Sequence, residues 1–81
     1  MDYKYTRHAR EQMESRRVTE EEIVYVLQRF SLTYPAHDGG TSLIAYFEDG
    51  SHLKIWVVNR LPLQEPVIIK SVGRRKWNAH D

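Results

Sequence analysis

The chain has 81 residues, 12 Lys and Arg against 11 Asp and Glu, no cysteine and 41% hydrophobic residues. That length supports one small domain, residues 1–81, and the lack of cysteine excludes a disulfide framework, a thiolate zinc site and a thiol nucleophile. Apolar runs such as Ile55 to Val58 are far too short to cross a bilayer and Met1-Asp2-Tyr3-Lys4 lacks the apolar stretch of a signal peptide, so a soluble, cytoplasmic protein with no membrane partner is expected.

Tyr3 and Tyr5 alternate with polar residues, which makes Asp2 to Tyr5 a candidate first strand. Thr6 is placed to cap a short helix running to about Arg16, with Ala9 and Met13 as its apolar contacts. Thr19 and Glu22 fit a capping box, and Glu20, Glu21 and Glu22 favour the positive end of the helix dipole. Ile23, Val26, Leu27 and Phe30 then form the apolar stripe of a second helix, roughly Glu20 to Arg29. Leu32 to Tyr34 reads as a short strand and Pro35-Ala36-His37-Asp38-Gly39-Gly40 as a turn. Thr41 to Phe47, Ser51 to Val58 and Pro66 to Val72 read as three longer strands. The expected fold is α+β, with two N-terminal helices packed on one face of a three- to four-stranded antiparallel sheet.

The hairpin register decides which residues share a face. A two-residue Asp49-Gly50 turn would pair Phe47 with His52 and mix apolar with charged side chains. A three-residue loop, Glu48-Asp49-Gly50 with Gly50 left-handed, pairs Phe47 with Ser51 and groups Leu43, Ala45 and Phe47 with Leu53, Ile55 and Val57. The second register gives one apolar face, joined by Val67 and Ile69. It leaves Tyr46 across from His52, Ile44 across from Lys54, and Trp56, Ile68, Lys70 and Val72 on the other side. The charge is also uneven: 0 over residues 1–30, −3 over 31–50 and +4 over 51–81, so near-neutrality hides a basic C-terminal third.

The run His8-Ala9-Arg10-Glu11-Gln12-Met13-Glu14-Ser15-Arg16-Arg17-Val18-Thr19, followed by a Glu-rich helix and strands with an Asp-Gly hairpin, resembles a family of small bacterial domains of unknown function grouped with the RelE/ParE toxin superfamily. Gln12 stands where that family usually has arginine, and Arg17 where it usually has glycine. The resemblance implies a RelE/ParE-like fold and, from characterised relatives that include ribosome-dependent messenger RNA cleaving toxins and gyrase inhibitors, a toxin neutralised by an antitoxin, with metal-free RNA cleavage as the leading expectation. It implies RNA, including ribosome-associated RNA, or an antitoxin-like protein as partner. His8, Met13 and Arg16 carry the motif and are expected to be structural, with Arg16 tethering a carboxylate or a strand carbonyl.

Metal-free RNA cleavage needs a base for the 2′-hydroxyl, positive charge for the phosphorane and a proton for the 5′-oxygen. His52, or His8 from the first helix, is the candidate for proton transfer, Lys54, Lys70, Arg74 and Arg75 are the candidate stabilisers and Tyr46 a hydrogen-bond donor or base-stacking ring. Lys54, Lys70, Arg74, Arg75, Lys76 and Trp56 form the expected nucleic-acid-binding set. The bland alternative is that these cations only solubilise a strand and tail. A non-catalytic module binding nucleic acid or an acidic partner, and a homodimeric interaction domain, are the competing readings. His8, His37, His52 and His80 lack metal-ligand spacing, and no phosphate loop or dinucleotide fingerprint is present, so no metal or other cofactor is expected.

Overall fold

A computed structural model describes residues 2–75. Seven elements follow one another: β1 (Tyr3–Tyr5), α1 (Arg7–Arg16), α2 (Glu20–Arg29), β2 (Leu32–Pro35), β3 (Thr41–Tyr46), β4 (His52–Val57) and β5 (Val67–Arg75). The fold is α+β, as the residue pattern indicates. The sheet, however, has five strands in the order β1-β5-β4-β3-β2 and is mixed. Its four later strands pair antiparallel, while β1 runs parallel to β5 with Tyr3 beside Val67 and Tyr5 beside Ile69. The expectation of three or four antiparallel strands is thus corrected. The last strand is also longer than expected, ending at Arg75 rather than Val72.

Both helices begin as their caps dictate. Thr6 Oγ1 accepts from the Ala9 N–H at 3.1 Å, and Thr19 and Glu22 form the full capping box. Helix α1 ends at Arg17, whose φ of 53° lies in the left-handed region that glycine prefers. From the helices, Ala9, Met13, Ile23, Val26 and Leu27 enter the core. From the strands come Leu43, Ala45, Leu53, Ile55, Val57, Val67, Ile69 and Val72, so the helices cover one side of the sheet. The hairpin takes the three-residue loop: Phe47 N–H donates to Ser51 O at 2.9 Å, and Gly50 has a φ of 84°.

One irregularity changes the side-chain arrangement of β5. Trp56 pairs with Ser71 but Val57 pairs with Ile69, so Lys70 is an extra residue in the ladder. A single inserted residue reverses the alternation of everything beyond it. Val72, expected beside Lys70 on the outer face, is therefore fully buried under the helices. Arg74 follows it to the helix side, opposite the buried Leu53.

Candidate functional site

Residues directly paired across the ladder share a face, and the uncovered face follows from the register. Leu32, Ile44, Lys54 and Gly73 form one row, Tyr34, Ser42, Trp56 and Ser71 the next, and Tyr46 and His52 a third. Ile44 is only 9% exposed although no helix lies over this side, so its neighbours' long side chains roof it. Tyr46 is 53% exposed, with its ring 5.4 Å from the His52 imidazole. Lys54 Nζ lies 4.8 Å from the centre of the Trp56 ring, a cation–π distance. The indole rests across Gly73, where a Cβ would lie 3.5 Å from its nearest ring carbon.

Ile44, His52, Lys54 and Trp56 border an open groove of about 590 Å³, which Tyr46 does not line. Its other wall comes from α1 and exists because β1 is short. With β1 ended at Tyr5, the β5 edge from Lys70 onward has no strand beside it. Thr6 Oγ1 donates to the Lys70 carbonyl at 3.2 Å. Gln12 Oε1 accepts from both the Val72 N–H and the Ser71 hydroxyl, each at 2.8 Å, and Arg16 Nη1 donates to the Val72 carbonyl at 2.5 Å. Four residues apart on α1, Gln12 and Arg16 thus satisfy the edge in place of a strand and line the groove.

The predicted site residues divide. Tyr46, His52, Lys54 and Trp56 come together as the register implies. Lys70 lies on the same face, with its ammonium paired to the Asp38 carboxylate of the β2–β3 loop. Arg74 lines the same groove, but its guanidinium pairs with Glu22 of α2, and its Nε is buried with no hydrogen-bond partner among the described residues. The same Glu22 caps its helix through Oε1, 3.0 Å from the Thr19 N. Arg75 enters through backbone pairing with His52. Lys76, together with Trp77 and His80, lies outside the described residues. Met13 is in the core, His8 is exposed in the first turn of α1, and Arg16 holds a strand carbonyl.

Sequence reasoning missed Gln12 and Asp38. Gln12 carried two visible signals, its departure from the family motif and its spacing of four from Arg16, whereas nothing local marks Asp38 as a partner for Lys70. Among the described residues, no group of three or more His, Asp or Glu side chains is placed to hold a metal ion. No helix among them is long and apolar enough to cross a membrane. Chemically the groove offers positive charge, hydrogen-bond donors, an aromatic face and one imidazole. No protein-family model, curated protein or solved structure matches the chain.

Proposed function

We propose that this chain is a RelE/ParE-like, toxin-type domain whose open sheet face binds single-stranded RNA. The observation that carries the reading is the make-up of the groove: Arg16, Lys54 and His52 line it together with Trp56, and no carboxylate is among its lining residues. A phosphate backbone needs fixed cations and unpaired bases need an aromatic surface, and both are present within one groove. In the cleaving form of this reading, His52 takes the 2′-hydroxyl proton as O2′ attacks phosphorus. Lys54 offsets the phosphorane charge, the P–O5′ bond breaks, and the proton returns to the 5′-oxygen, leaving a 2′,3′-cyclic phosphate. One observation favours a binding module without cleavage: the guanidinium of Arg74, which also lines the groove, is already paired with the Glu22 carboxylate.

Titration of a labelled single-stranded RNA by fluorescence anisotropy tests the binding claim. Affinity should fall as salt rises, and Trp56→Ala should weaken it roughly 5- to 150-fold, the range for loss of one stacked base. Folded protein that ignores RNA at low salt refutes the reading. A cyclic-phosphate product that vanishes in His52→Ala, with binding retained, identifies the cleaving form, and intact bound RNA identifies the binding module.

A further inference from the structure

The open face continues past Trp56. Trp56 and Lys54 form a ridge, and beyond it lies a second groove of about 360 Å³, bordered by Tyr34, His37, Asp38 and Lys70. We propose that this groove is a second nucleotide site for the same RNA strand, and that the Asp38 carboxylate occupies its phosphate position on Lys70 until RNA displaces it. The inference rests on the RNA-binding reading above.

Three observations carry it. First, the second groove adds an aromatic ring to the Trp56 indole that borders both: Tyr34, 50% exposed, shares a row with Trp56. The two rise from strands about 10 Å apart, two strand spacings, with the small buried Ser42 as the floor between them. Second, Lys54 borders both grooves, so one ammonium can serve the phosphate that links two nucleotides. Third, the carboxylate on Lys70 is held there by its own loop. Asp38 Oδ1 accepts from the Gly40 N–H at 3.2 Å, while the other oxygen meets Lys70. The loop is pinned to the sheet by Gly40, where a Cβ would overlap the Val57 carbonyl, and by Arg60 Nε donating to Gly39 O at 3.0 Å. A carboxylate and a phosphate present the same anionic oxygens to an ammonium. With its side chain 60% exposed, Asp38 is a solvated anion that a stronger one can replace.

The test uses the full chain and labelled oligouridylates of two to eight nucleotides. Asp38→Asn keeps the oxygen that accepts from Gly40 and removes the competing charge. It should tighten binding of the longer oligomers about two- to fivefold, the range set by a partly exposed ion pair. Glu21→Gln makes the same change in net charge on the exposed surface of α2, across the sheet, and should leave affinity within about twofold. Tyr34→Ala should weaken the longer oligomers and leave the shortest unaffected. Wild-type protein that binds no RNA would overturn the RNA reading and this site with it. RNA binding that responds to Lys54→Ala but to neither Asp38→Asn nor Tyr34→Ala overturns the second site alone. Equal tightening by Glu21→Gln and Asp38→Asn also overturns it. Poly-glutamate binding as well as RNA, without dependence on Tyr34, would indicate an acidic protein partner and reject both.

Discussion

Replacing Gln12 with alanine isolates the device by which α1 closes the edge of β5. Its Oε1 receives the Val72 N–H and the Ser71 hydroxyl, both at 2.8 Å. The serine hydroxyl can turn to water, but the amide belongs to a residue with no exposed surface and loses its acceptor. An orphaned buried amide costs about 1–3 kcal/mol, and the lost hydroxyl bond adds about 0.5 kcal/mol, giving about 1.5–3.5 kcal/mol in all. For a domain of this size each kcal/mol shifts Tm by about 4–8 °C, so Gln12→Ala should melt roughly 6–28 °C below the wild type. Gln12→Glu keeps an acceptor oxygen at the same reach and should recover most of that loss. Native-state hydrogen exchange gives the local readout, because the Val72 amide should lose protection in Gln12→Ala beyond the global change. If Gln12→Ala melts within 2 °C of wild type, or Gln12→Glu is no better, the edge is satisfied without this side chain and the reasoning fails.

Arg17 and Tyr5 give further tests. Arg17 holds a left-handed conformation at the end of α1, so Arg17→Gly should stabilise the fold by about 0.5–1 kcal/mol, measured by urea denaturation; a loss of stability would contradict the assignment. Burial raises the pKa of the Tyr5 phenol above its usual value of 10.0, with the nearby Glu20 carboxylate adding to the effect. The folded state then holds the phenolic proton more tightly than the unfolded chain, so this contribution is complete below pH 10 and is lost as pH rises through the folded pKa. Tyr5→Phe should flatten that alkaline decline, and an unchanged decline would assign it to other groups.

Much of the site was legible because it depends on local patterns. A three-residue hairpin loop is the register that collects Leu43, Ala45, Leu53 and Ile55 on one side, and all four are buried in the folded chain. The same choice placed Tyr46 beside His52 and Ile44 beside Lys54. Two features were not legible. The parallel pairing of β1 involves three residues whose partners lie about 64 positions away, and alternation in so short a segment does not say which edge it joins. The extra residue at Lys70 leaves no mark in composition, yet it moves Val72 into the core and Arg74 toward Glu22. Arg74 still lines the groove with Lys54, but with its guanidinium paired to Glu22.

The placement of β5 between β1 and β4 also determines when the domain can fold. The β3–β4 hairpin is built from neighbours in the chain and can form early, at low loop-closure cost. By contrast β1, Thr6, Gln12 and Arg16 all find their partners on a strand 56 or more residues later. During synthesis those partners emerge last, long after Ala9 and Met13, which share the native core with Val67, Ile69 and Val72 of β5. Docking of that last central strand closes the sheet and buries the helix in one cooperative step, so a chain stopped before residue 67 should retain hairpin structure without the native core.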